Sequence, residues 1–217
     1  MSAHAIELAG ESVLLLAQKA LYWPRQRTLA VADIHFGKAA SFRAQGIPVP
    51  RGTTTQNLQA LDALLAAHAV QRIVFLGDFL HAKAAHASAT LQTMQAWRER
   101  HAQLELLLVR GNHDRHAGDP AALLRIGVAD EPYSIGPFAF CHHPDTAAPG
   151  YVLAGHVHPV FVLRSAWESL RLPCFLQGPR RMILPSFGAF TGGHGITPLP
   201  GERVFLTADD LVFPIES

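Results

Sequence analysis

Only two of the 217 residues are cysteine, Cys141 and Cys174, so neither a disulfide framework nor a thiolate-rich structural zinc site organises this chain. Charge of one sign is missing too. Eighteen Lys and Arg against 17 Asp and Glu leave a net +1, which gives no support for a broadly basic nucleic-acid face. No run approaches the roughly 20 apolar residues that span a bilayer; Val13-Leu14-Leu15-Leu16-Ala17 is short and follows Glu7 and Glu11. The N-terminus has no basic stretch leading into an apolar segment, so no export signal is read and a cytoplasmic location without a membrane partner is expected. Gly and Pro show no period, and no repeat, low-complexity tract or composition shift marks a linker. What remains is 49% hydrophobic and 16% charged, too apolar for disorder and of a length for one globular domain over residues 1–217.

Histidine is plentiful, with 13 residues, and its placement follows a pattern. Short apolar runs lead at once into polar, metal-capable residues. Thr28 to Ala32 leads into Asp33-Ile34-His35, Arg72 to Leu76 into Gly77-Asp78, and Leu104 to Val109 into Gly111-Asn112-His113-Asp114. Phe138 to Cys141 leads into His142-His143, and Tyr151 to Ala154 into Gly155-His156-Val157-His158. Such runs read as buried strands. Between the early ones, Thr53 to Ala69 carries Leu58, Leu61, Leu64 and Leu65 at helical spacing, and Ser88 to His101 starts on a capping Ser and carries Leu91, Met94 and Trp97. Strand–helix–strand–helix–strand predicts a sheet with helical crossovers, and the Pro- and Gly-punctuated runs from Glu131 onward predict a β-rich second half. The expected class is an α/β layered sandwich. All five polar clusters fall at strand ends, where open α/β sheets bind ligands.

Asp33, His35, Asp78, Asn112, His142, His156 and His158 together offer carboxylates, imidazoles and one amide, a donor set for borderline divalent cations such as Mn, Fe or Zn. Spacing of two in Asp33-Ile34-His35 and His156-Val157-His158 is expected to put each pair on one side of an extended backbone. Seven ligands are too many for one ion that keeps open positions, and suit two ions sharing a carboxylate. Two such ions ~3.5–4 Å apart serve phosphoryl transfer by generating hydroxide and clamping the attacking and leaving oxygens.

These five motifs, in this order over residues 33–158, resemble the motif set of calcineurin-like metallophosphoesterases. The resemblance implies a four-layer α/β/β/α sandwich and a two-metal centre. Asp33, His35 and His158 would hold one ion, Asn112, His142 and His156 the other, and Asp78 would bridge them. His113 would stand over the substrate phosphate, stabilising charge or protonating the leaving oxygen, with Asp114 orienting it. His142 and His143 are adjacent, so in a strand they face opposite ways. The family's ligand opens a short polar segment before Pro, here Pro144, which selects His142 and leaves His143 as a supporting partner.

Segments 36–43, 48–53 and 185–192 are further similar to the bacterial ligase-associated metallophosphoesterases, the DNA damage response endonucleases of that family. This implies a phosphodiesterase, most simply manganese-dependent, acting on DNA beside an ATP-dependent DNA ligase, a helicase and an exonuclease. Two rivals stand beside it: a pyrophosphatase or phosphomonoesterase for a nucleotide or lipid-linked substrate, and a repair-complex scaffold with hydrolysis secondary. Lys38, Arg43 and Arg51 are candidate phosphate donors, against a solvated surface. The segment Gly192 to Gly195 is a candidate cleft wall, and Phe42, Phe187 and Phe190 are candidate base-stacking residues whose plainer role is core packing. His4, His68, His81, His86, His101 and His116 are expected to be solvent-facing or simply hydrogen-bonded, and both cysteines buried thiols. Oligomeric state has no sequence signal here.

Overall fold

The computed structural model describes residues 2–49, 52–82, 88–164 and 168–215. The chain opens as an antiparallel meander of β1 (Ala3–Leu8), β2 (Glu11–Leu16), β3 (Ala20–Trp23) and β4 (Thr28–Ala32). It then turns to parallel crossovers. Helices α1 (Lys38–Ala44) and α2 (Thr53–Ala67) lead to β5 (Arg72–Leu76), α3 (Ser88–Arg100) to β6 (Glu105–Val109), and α4 (Asn112–Ala117) to β7 (Gly127–Ala129). These seven strands form one sheet in chain order.

A second sheet follows, ordered β14-β11-β12-β13-β10-β9-β8. Its strands are β8 (Tyr133–Ile135), β9 (Phe138–Phe140), β10 (Tyr151–Ala154), β11 (Pro159–Arg164), β12 (Ser169–Gln177), β13 (Arg181–Ile183) and β14 (His194–Gly195). Strands β15 (Arg203–Ala208) and β16 (Leu211–Pro214) extend it from β12.

Strand periodicity explains the layering. Leu29 and Val31 of β4 and Ile73 and Phe75 of β5 point to α2 and α3, where they meet Leu58, Leu61, Leu64, Met94 and Trp97. The alternate residues Ala30, Ala32, Val74 and Leu76 point the other way, into Phe138, Phe140, Leu153, Phe175, Met182 and Phe205 of the second sheet. A strand covered on both faces has no polar side, hence its unbroken apolar run. Burying each Leu or Phe contributes about 1.5–3 kcal/mol.

This is the mixed α/β, two-sheet architecture expected, and the first three layers are helices, sheet and sheet. The fourth layer differs. Among the described residues no α-helix follows Ala117, and the outward side chains of the second sheet (Cys174, Leu176, Ile183, Val204 and Leu206) are packed by Val157, Phe161, Leu172, Ile196 and Ile215. Helix α2 stops at Ala67, two residues before the predicted end, because His68 is extended (φ −132°, ψ 145°). Ser88 opens α3 as its first helical residue; its predicted cap rests on a side chain outside the described residues. Both thiols are buried and their pKa values raised to about 12 by desolvation.

Candidate metal centre

Strands β4, β5 and β6 run parallel, as do β9 and β10, and the carboxyl ends of both sets meet along one edge of the molecule. The two sheets are joined there. Ala32 bridges to Ser186, Phe187 N–H donates to Ala32 O at 2.8 Å, and the Ser186 hydroxyl donates to Asp33 O at 2.9 Å. His156 N–H donates to the Asp33 carboxylate at 3.0 Å, which ties the end of β10 to the end of β4.

The backbone at these ends is not extended, contrary to the spacing-two expectation. Asp33, His35, Asp78, His156 and His158 have φ of 53, 48, 50, 70 and 51°. They make up half of the ten non-glycine residues in the left-handed region among the described residues. Each such residue costs roughly 1 kcal/mol or more, so the turns are held by their surroundings. Alternating left-handed residues, not strand pleating, bring each pair together.

Close approach requires glycine beside the ligand residues, as Gly77 and Gly155 show. A Cβ on Gly77 would lie 2.1 Å from His142 Nδ1, at φ +74° besides. A Cβ on Gly155 would lie 2.6 Å from Asp33 Oδ2.

Two groups of side chains result, each offering ligand atoms within 4.8 Å of one another: Asp33, His35, Asp78 and His158, and His142, His143 and His156. Asp78 stands between them. Its Oδ2 is 3.6 Å from His35 Nε2, and its Oδ1 is 3.6 Å from His142 Nε2. Asn112 joins the second group, with Oδ1 2.8 Å from His142 Nε2.

The protonation states show what this arrangement lacks. Burial holds His142 at a pKa of about 4 and His35 at about 2, so both rings are neutral near pH 7. The single ring proton of His142 goes to Leu76 O, 3.1 Å from Nδ1. Its Nε2 therefore presents a lone pair to Asn112 Oδ1 and Asp78 Oδ1, both acceptors. Neither nitrogen of His35, which is 4% exposed, has a hydrogen-bond partner. His158 shares the geometry but not the pKa direction: Nδ1 faces Gly192 O at 3.1 Å and Nε2 faces Asp33 Oδ1 at 3.5 Å, and although desolvation opposes it the Asp33 carboxylate raises the pKa of the ring. Converging lone pairs and orphaned buried nitrogens are costly alone, and a divalent cation satisfies them. The donor set fits such ions.

His113 opens toward the same edge, half exposed. Its Nδ1 lies 3.1 Å from His81 O and its Nε2 3.9 Å from Asp78 Oδ2. A carbonyl only accepts, so Nδ1 carries the proton and Nε2 faces the site.

Asp114 meets backbone rather than the His113 ring, whose Nδ1 partner is His81 O. Its buried carboxylate accepts from Leu80 N at 3.0 Å and Gly111 N at 2.9 Å. It pins the Gly77–Leu80 turn to the start of α4, so it shapes the backbone that carries Asp78, Asn112 and His113. Burial raises its pKa to about 6, against those backbone donors.

His142 and His143 do not face opposite ways, because β9 has already ended at Phe140. Their rings are 4.7 Å apart, and His143 lies 4.5 Å from His156. His143 Nδ1 is engaged by Glu131 Oε1 at 2.6 Å, and Glu131 Oε2 accepts from His142 N and His143 N at 2.7 and 2.9 Å.

Three contributors escaped the sequence reading. Glu131 gave no signal, since it belongs to none of the motifs. Asn57, in the second turn of α2, donates to Ile34 O at 3.0 Å and accepts from Ala189 N at 2.9 Å, bracing two site loops. His81 is expected to have a plain role, yet its ring stacks on His113 (5.1 Å, 23°) and meets His35 (5.4 Å). Its position three residues after Asp78 was the available signal. The plainer role holds elsewhere: His101 bonds Asp62 at 2.7 Å, His116 bonds Asn112 O at 2.7 Å, and His4 and His68 pack on Phe205 and Tyr22.

Among the candidate cations, Lys38 starts α1 within electrostatic reach of Asp33 and Asp78. Arg43 is exposed in the last turn of α1. Arg51 and His86 lie outside the described residues. Phe187 is core, whereas Phe42 and Phe190 are half-buried beside Lys38 and Gly192.

The model of the calcineurin-like phosphoesterase family matches residues 26–142. The chain belongs to that family. Among solved structures it is similar to the nuclease MPE of Pseudomonas putida, 48% identical over 99% of this chain and 100% of the other, with a TM-score of 0.88. Fainter similarities are to AQ665 of Aquifex aeolicus, a protein of unknown function (18%, covering 60% and 78%, TM-score 0.41), and to the phosphoesterase Yfce of E. coli (14%, covering 85% and 90%, TM-score 0.40). No curated protein matches. Among the described residues no helix is long and apolar enough to cross a membrane.

Proposed function

We propose that this chain is a metal-dependent phosphodiesterase that cleaves DNA. The observation that carries this is Asp78, with one carboxylate oxygen turned to His35 and the other to His142. Similarity to a nuclease along the full chain supports the substrate class.

In this reading Asp33, His35 and His158 hold one divalent ion, Asn112, His142 and His156 the other, and Asp78 serves both. Bound there, the ions supply Lewis acidity toward a phosphoryl oxygen and lower the pKa of water. The protein's own residues do the rest. Leu76 O and Gly192 O fix the tautomers of His142 and His158, so that each presents Nε2. Glu131 fixes the 142–143 turn, which makes His142 the ligand and His143 its neighbour. His113, held at Nδ1 by His81 O, directs Nε2 at the substrate, and in its protonated form donates from that atom to the leaving oxygen. Lys38 contributes a charge-assisted contact to the phosphate, and the exposed Arg43 is a second candidate phosphate donor.

Manganese is the proposed ion pair, since oxygen and imidazole ligands without thiolate suit it. Residues 1–217 act as one domain in this reading, because both sheets contribute to the core and to the site. A cytoplasmic role in DNA repair beside an ATP-dependent ligase, a helicase and an exonuclease rests on the resemblance of segments 36–43, 48–53 and 185–192. The deciding experiment is hydrolysis of a generic phosphodiester and of DNA by purified protein loaded with Mn, Fe or Zn, with metal content measured in parallel. Loaded protein that cleaves neither substrate overturns the proposal.

A further inference from the structure

Beside the metal centre lies a cleft of about 450 Å³ lined by Lys38, Phe42, Ala189, Phe190, Thr191 and Gly192. Four rings run from it to the reaction centre. Phe190 meets Phe42 edge-on at 5.9 Å, Phe42 lies 5.7 Å from His81, and His81 stacks on His113. Core packing accounts for Phe187, which is 3% exposed, but not for two half-buried rings at a cleft mouth. Lys38 and Phe42 are four apart on α1 and so share one helix face. Gly192 links the far wall to the centre, because its carbonyl holds His158. The cleft thus presents an apolar aromatic surface, with a cation at its inner end, continuous with the place where a phosphate is hydrolysed.

A nucleotide has that composition: a flat π-face one sugar away from an anionic phosphate. Every base offers such a face, so stacking on protein aromatics tolerates sequence. Its volume also lies within the range of small-ligand sites. Resting on the reading of the chain as a nuclease, we propose that Phe42 and Phe190 form a nucleobase subsite. The base next to the cleaved phosphate, lifted from its own neighbours, stacks on these rings while Lys38 contacts the phosphate.

The test compares a fluorescein-labelled single-stranded oligonucleotide with a strand of equal length built from abasic residues. Binding is read by anisotropy on metal-free protein, and kcat/KM on Mn-loaded protein. The proteins are wild type, Phe42→Leu, Phe190→Leu and the double variant, each checked for folding by circular dichroism. Wild type is expected to favour the base-bearing strand about tenfold in Kd and in kcat/KM, within the usual range for one stacked base. The double variant is expected to bring both ratios near one. Equal handling of the two strands by wild type, or an undiminished ratio in a folded double variant, overturns the subsite. If the double variant does not fold, the wild-type ratios and the single variants decide. Tighter binding of the base-bearing strand without cleavage of either supports the subsite and overturns the nuclease reading. Equal cleavage of both does the reverse.

Discussion

In the group of Asp33, His35, Asp78 and His158, three side chains are buried and the fourth nearly so, and both nitrogens of His35 and Nε2 of His158 lack hydrogen-bond partners. In the group of His142, His143 and His156, burial falls from complete at His142 to exposed at His156. Its atoms also meet protein: His142 Nε2 lies 3.0 Å from His156 Nδ1, and His143 is held by Glu131. The first group keeps buried nitrogens without partners, whereas solvent can reach the second. Buried unpaired groups gain most from an ion, so the first group is expected to retain metal more tightly than the second.

The largest test of that contrast removes what the groups share. Asp78→Ala is expected to lower hydrolysis by at least about 10²–10³-fold and to deplete metal at both positions, as read by activity assay and elemental analysis. Full metal retention would show that the groups are independent. His113→Ala is expected to lower kcat by about 10²-fold while metal content stays level, separating the proton donor from both groups. Next comes the pair of neighbours. His142→Ala is expected to empty the second position alone, while His143→Ala and Glu131→Gln weaken it about tenfold, read by metal titration. Loss of metal from His143→Ala alone would transfer the ligand role to His143. Gly77→Ala is expected to cost about 1–3 kcal/mol, a fall in Tm of several degrees by thermal unfolding, with the second position losing its ion first because the new Cβ meets His142.

Legibility in the sequence followed chain locality. The strand ends, the crossover helices and the clustering of ligand-capable residues could be read because each rests on a few consecutive residues. The partners of Asp114, Leu80 N and Gly111 N, are not legible in the sequence because they come together only in space. The paired motifs do meet in space, but through left-handed backbone rather than strand pleating, and that backbone at Asp33 and His35 has no composition signal. The place of His81 is not legible because the rings of His35, His81 and His113 meet only in space.

By itself the sequence determined which ligand-capable residues follow strands and that those strands deliver them to one edge, because apolar runs and side-chain types are local properties. Tertiary structure alone decided which oxygen of Asp78 faces which histidine, which nitrogen of each ring carries the proton, and that Glu131, Asn57 and His81 belong to the site. Those depend on the meeting of two sheet edges, where residues far apart in the chain, such as Asp33 and Ser186, share hydrogen bonds. Contacts of that span are fixed by packing both faces of the first sheet, and no window along the chain contains them.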